Sequence, residues 1–141
     1  MSVTVTRDNR KKVDDILNAL IKEAIIVGVP EDSEKAERTD SELSNYDLGY
    51  MIEFGEPALN RPARAFLIPG TKAAIPGINT ITKRRLEEIL HFNSNIRVLQ
   101  DEIGEYVVYE VQNVIDSKDI YDTGQLSASI TYEIINKTEL K

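Results

Sequence analysis

The chain has 141 residues, of which 24 are acidic and 17 basic, giving a formal net charge of -7, and 41% are hydrophobic against 29% charged. That length supports one domain built around one core. No apolar run approaches the roughly 20 residues of a membrane-spanning helix. The acidic balance opposes phosphate binding over most of the surface, which excludes sequence-specific nucleic-acid recognition but still allows an acidic wall past which DNA slides without sticking.

The segment Met1-Ser2-Val3-Thr4-Val5-Thr6-Arg7 has neither an apolar stretch nor a small-residue cleavage site, so cytoplasmic synthesis is expected. With no cysteine and a single histidine, His91, the chain lacks the material for disulfides, thiolate metal sites or a histidine-rich centre. No catalytic residue, cofactor or metal is expected.

In chain order, Val13, Ile16, Leu17, Leu20, Ile21 and Ala24 recur at helical spacing and predict an amphipathic helix over 10–24. Ala24 to Val29 is rich in β-branched residues and stops at Pro30, the pattern of a strand buried on both faces. The polar, charge-dense segment 31–45 reads as an acidic arm or mobile loop. Tyr46 to Phe54 predicts a two-turn helix that Gly55 closes.

Residues 57–79 hold Pro57, Pro62, Pro69, Pro76, Gly70 and Gly77, and so read as a packed surface loop, with docking as the alternative. Helix resumes over Thr80–Phe92, where His91 is a C-terminal capping residue, and breaks at Asn93–Asn95. From Ile96 to Ile115 the stripe Ile96, Leu99, Ile103, Val107, Val111, Val114 predicts the longest helix, the spine of the fold. Gly104 inside it costs about 1 kcal/mol against Ala and marks a close approach by another element.

Asp122-Thr123-Gly124 reads in two ways. It is the tripeptide with which aspartic proteases pair two carboxylates, which one copy per chain achieves only in a symmetric dimer. It is also an ordinary turn, leading into a strand where Ile130, Tyr132 and Ile134 alternate with Ser129, Thr131 and Glu133. The short stretch after Gly124 leaves no room for a substrate-covering flap, and the turn is preferred. Residues 136–141 form a polar tail. The expected architecture is α+β: a single domain over 1–141, with a small, mostly antiparallel sheet packed against a long helix and shorter helices, and long loops.

Three stretches in this order carry a family resemblance: Ile26-Val27-Gly28-Val29-Pro30-Glu31; Tyr50-Met51-Ile52-Glu53-Phe54-Gly55-Glu56-Pro57 with Arg61-Pro62-Ala63-Arg64-Ala65-Phe66-Leu67; and Asp122-Thr123-Gly124-Gln125-Leu126 with Ser129-Ile130-Thr131-Tyr132. Together they resemble the bacteriophage tail-completion or neck (head–tail joining) proteins, minor tail protein Z-like. Two positions depart from that pattern: Ile52 stands where the family commonly has His, and Ala65 where it commonly has Pro.

The resemblance implies a non-catalytic virion protein, assembled in the host cytoplasm. Its copies would close a homo-oligomeric ring, a hexamer, between the head connector or adaptor and the tail terminator or tail tube, with DNA passing through non-specifically. A tail terminator or a head-closure ring is the neighbouring alternative, and a dimeric aspartic protease using Asp122 or a prophage adaptor the alternatives of another class. On this reading Phe54, Phe66 and Leu67 anchor the long loop to the core or to a neighbour, packing within its own subunit being preferred for Phe54. Gly55 and Gly124 take backbone conformations unfavourable to other residues. Arg61 or Arg64 pairs with a neighbour's carboxylate, or is simply a solvated charge. The segments 31–45 and 57–79 supply the two complementary surfaces that a ring needs.

Overall fold

The computed structural model describes residues 8–120 and 124–140; Asp122 of the Asp-Thr-Gly turn lies outside them. The long stripe beginning at Ile96 folds as α4 (Ile96–Ser117), which buries Leu99, Val107, Val111 and Ile115. Asn95 starts it, its side chain accepting the Val98 N–H at 3.1 Å.

Antiparallel to α4 runs α3, and here the proline-rich stretch departs from the loop expected of it. Only a short 3-10 turn (Pro57–Leu59) and the extended residues up to Phe66 are irregular; from Leu67 the chain is helical through Leu90. Pro69 falls in the first turn, where a backbone N–H has no intrahelical partner to lose. Pro76 sits inside the helix and costs it one hydrogen bond. The glycines serve packing. A Cβ on Gly70 would stand 2.6 Å from the Val111 Cα, and one on Gly77 2.2 Å from the Tyr106 ring, so both, with buried Ala74 between them, let α3 approach α4 closely. His91 occupies the C-cap of α3.

The first helix, α1 (Arg10–Lys22), gives way to β1 (Glu23–Gly28) slightly earlier than the stripe suggested. β1 pairs antiparallel with β2 (Thr131–Asn136), in register from Glu23 opposite Asn136 to Gly28 opposite Thr131. With two strands and one covered face, β1 is half-buried and not enclosed on both sides; Ile26 is exposed. The spine covers that inner face at Gly104, where a Cβ would lie 2.3 Å from the Tyr132 ring. The close approach expected at Gly104 is therefore the aromatic ring of β2.

Two connections also differ from expectation. Gly124 does not lead straight into a strand: a short helix, α5 (Gln125–Ser129), intervenes and buries Leu126 and Ser129. Segment 31–44 is not a free arm. Ala36 is buried, and the Asn45 side chain donates to the Lys35 carbonyl at 2.9 Å and accepts from Arg38 at 3.0 Å. Thr39 and Gln125 exchange two hydrogen bonds, of 3.0 and 3.1 Å, which tie the loop to α5. A single buried amide thus satisfies backbone groups that a charge-dense sequence would otherwise leave to water. The tail is regular at its start, where Asn136 caps a 3-10 turn over Lys137–Glu139.

The expected α+β class holds. The core gathers Phe66, Ala74, Val107, Val111, Ile115, Ile120, Leu126 and Ile130. Helix α2 (Asn45–Phe54), capped by Ser44, lays Leu48 and Ile52 against it. Ile52 meets an apolar surface, so an aliphatic side chain suits the position.

Candidate functional site

The middle of the three stretches that carry the family resemblance folds into the end of α2 and the connector that leads to α3. Gly55 ends α2 with φ 75° and ψ 178°, a region essentially restricted to glycine. A Cβ there would also stand 2.6 Å from the Ala63 backbone nitrogen. Glu56 and Arg61 then exchange backbone hydrogen bonds of 2.9 and 3.1 Å, and the Arg64 N–H returns to the Ile52 carbonyl at 2.8 Å. This doubling back brings the end of α2 against the start of α3.

Glu53 is the product of that geometry. Its side chain is buried, and Oε2 accepts the backbone N–H groups of Phe66 at 2.7 Å and Leu67 at 2.8 Å, while Oε1 accepts that of Ile68 at 3.0 Å. The three donors are among those a helix N-terminus leaves unpaired, and the positive end of the helix dipole favours the carboxylate. Nothing in the local sequence of α3 supplies a cap, because Phe66 occupies the N-cap position. The cap comes instead from the preceding helix.

Phe66 is fully buried in the core and Leu67 half-buried beside it. Arg64 binds within its own chain, donating to the carbonyls of Lys118 and, at 3.2 Å, Asp119, while the Lys118 ammonium donates to the Ala65 carbonyl at 2.6 Å. The Arg64 guanidinium thereby neutralises the carbonyl end of α4, while Lys118, at the C-cap of that helix, holds the connector through Ala65. Arg61 is exposed and lies 3.7 Å from the Glu56 carboxylate. Gly124 has φ 81°.

Phe54 departs from the intramolecular packing expected of it. It is 57% exposed, touching the Tyr50 ring at a centroid distance of 4.9 Å. Tyr46, Tyr50 and Phe54, each four residues apart, form an outward stripe of α2, opposite the inward pair Leu48 and Ile52. Beside that stripe, with Ile68 at its edge, opens an apolar cavity of about 200 Å³. Sequence reasoning passed over this stripe and over Glu53. The stripe was legible from the period of the aromatics, whereas the cap required knowing where α3 begins.

Elsewhere, Glu102 on α4 receives Arg84 and Arg85 from α3. Its carboxyl is held below the usual range, first by the Arg85 hydrogen bond and then by Arg84, against the opposing effect of burial. Tyr132 donates to Asp101 at 3.1 Å, and its phenol is pushed up, mainly by burial and next by that bond. Among the described residues no three His, Cys, Asp or Glu side chains group to hold a metal ion, and no helix is long and apolar enough to cross a membrane.

Fold and site together define an α+β domain with a carboxylate-capped connector and an open aromatic face. Compared with protein-family models, curated proteins and solved structures, the chain finds no match in any of the three.

Proposed function

We propose that this chain is a structural, non-catalytic subunit of a tailed-bacteriophage virion, one copy in a hexameric neck ring that joins the DNA-filled head connector to the tail. One observation carries the reading. At Gly49 on α2 a Cβ would touch Leu126 at 3.4 Å and Phe66 and Val29 at 3.6 Å. These three neighbours belong to the three separated stretches that carry the resemblance, so motifs scattered along the chain meet at one packing point.

The acidic net charge supports non-specific passage of DNA through such a ring, since like charge prevents adhesion. The open aromatic stripe of α2 supports a subunit that completes its apolar burial only on assembly. Cryo-electron microscopy of intact particles tests the proposal: a ring of this chain is expected at the head–tail junction. Its height in the junction separates tail completion from a tail terminator or a head-closure ring. Absence of the chain from purified particles would overturn the virion role.

A further inference from the structure

Among the described residues, α1 and α2 each leave an apolar stripe open, and the two differ. On α1, Val13 and Ile16 are half-buried, but Leu17, Leu20 and Ile21 of the same stripe face outward, Ile21 with 66% of its surface exposed. On α2 the outward stripe is Tyr46, Tyr50 and Phe54, bordering the cavity between Val29, Phe66 and Ile68. A helical stripe of this regularity serves burial, and each chain leaves part of two such stripes unburied.

Charge separates the two faces further. α1 carries Arg10, Lys11, Lys12 and Lys22 against Asp14 and Asp15. α2 has no basic residue and presents Asp47 at its surface, Glu53 being buried under the start of α3, and the adjoining loop 31–44 has six acidic side chains against Lys35 and Arg38. Pairing the α2 face with its own copy would set acidic surface against acidic surface, whereas pairing it with α1 sets basic against acidic.

Position completes the argument. α1 joins β1 at Glu23, while the cavity is lined by Gly28 and Val29 at the strand's other end, about 20 Å away at the rise of an extended chain. The two faces of one chain therefore cannot cover each other. Unlike surfaces at separate places on one subunit are what a head-to-tail contact requires.

We infer that the occupant of the α2 groove is α1 of a second copy of this chain, with Leu17, Leu20 and Ile21 seated against Tyr46, Tyr50 and Phe54. This inference rests on the ring reading and names its subunit contact.

The chain has no cysteine, so introduced thiols report without background. Ile21→Cys, Tyr50→Cys and, as a control, Ile75→Cys all replace exposed side chains and leave the core intact. Under mild oxidation of the full-length proteins at millimolar concentration, the mixture of Ile21→Cys with Tyr50→Cys is expected to give disulfide-linked dimers. Their yield should exceed either mixture with the control by about tenfold or more, because docking raises the effective concentration of one thiol at the other. The double variant should give a ladder of covalent oligomers.

Dimers of Tyr50→Cys with itself at equal yield would overturn the inference in favour of a two-fold contact. No enrichment over the control would overturn it outright. Either failure leaves the neck reading to be judged separately, by the location of the chain in particles, so the two can be told apart.

Discussion

Glu53, in the last turn of α2, accepts the backbone N–H of Phe66 at 2.7 Å and so caps α3 from the preceding helix. One carboxylate thereby sets the start of the helix that packs along the spine. Glu53→Ala would leave three backbone donors without a partner, that of Phe66 buried and those of Leu67 and Ile68 partly so, and about 2–4 kcal/mol of stability is the expected loss. Glu53→Gln keeps one acceptor oxygen and should lose less. Urea unfolding of the two variants measures the difference; equal losses would show that the carboxylate is no better a cap than the amide.

Gly55 and Gly124 both have positive φ but differ in surroundings. At Gly55 a Cβ meets backbone at 2.6 Å, whereas at Gly124 it meets nothing within 4 Å. Gly55→Ala should therefore cost about 3 kcal/mol, combining strain and overlap. Gly124→Ala should cost only about 1 kcal/mol, for the backbone conformation alone. Thermal unfolding midpoints of the two variants should fall in that order.

Gly104→Ala drives a methyl group into the Tyr132 ring, with a Cβ contact of 2.3 Å. The ring must shift against the spine, which disturbs its bond to Asp101. A loss of about 1–3 kcal/mol is expected. The double change Gly104→Ala with Tyr132→Ala should recover part of it, a non-additivity that a thermodynamic cycle reads directly.

Arg64→Ala removes the guanidinium from the carbonyl end of α4 and leaves the Lys118 bond to the Ala65 carbonyl in place. The site is exposed, so the expected cost is about 1 kcal/mol. Arg61→Ala, which loses only an exposed ion pair, should cost about 0–1 kcal/mol. A larger effect of Arg61 than of Arg64 on the stability of the isolated chain would contradict these roles.

Stability should fall on both sides of neutrality for separate reasons. Glu102 has a folded pKa below its ordinary 4.5, so its contribution is complete above that value and is lost as the pH falls through the lowered one. Tyr132 has a folded pKa above its ordinary 10.0, so its contribution is complete below that value and is lost as the pH rises through the raised one. Glu102→Gln should flatten the acid limb of the unfolding midpoint and Tyr132→Phe the alkaline limb. Exchanged effects would show the assignments to be wrong.

Local periodicity determined much of this fold. The stripes beginning at Val13 and Ile96 became α1 and α4, Gly55 closed α2, and the β-branched run from Ile25 became a strand, because each signal depends on neighbours a few residues away. Net charge and the lack of cysteine were equally legible. The stretch 57–79 was not. Prolines and glycines are read as breakers when only their own backbone is considered. Pro69 is harmless in a first turn, and Gly70 and Gly77 are explained only by the nearness of Val111 and Tyr106. Likewise Glu53 was an unremarked acid until α3 began beside it. The period of α1 and α2 told which residues share a face, but only the tertiary structure decided that part of each face is left uncovered, because burial is settled by which elements meet across the chain.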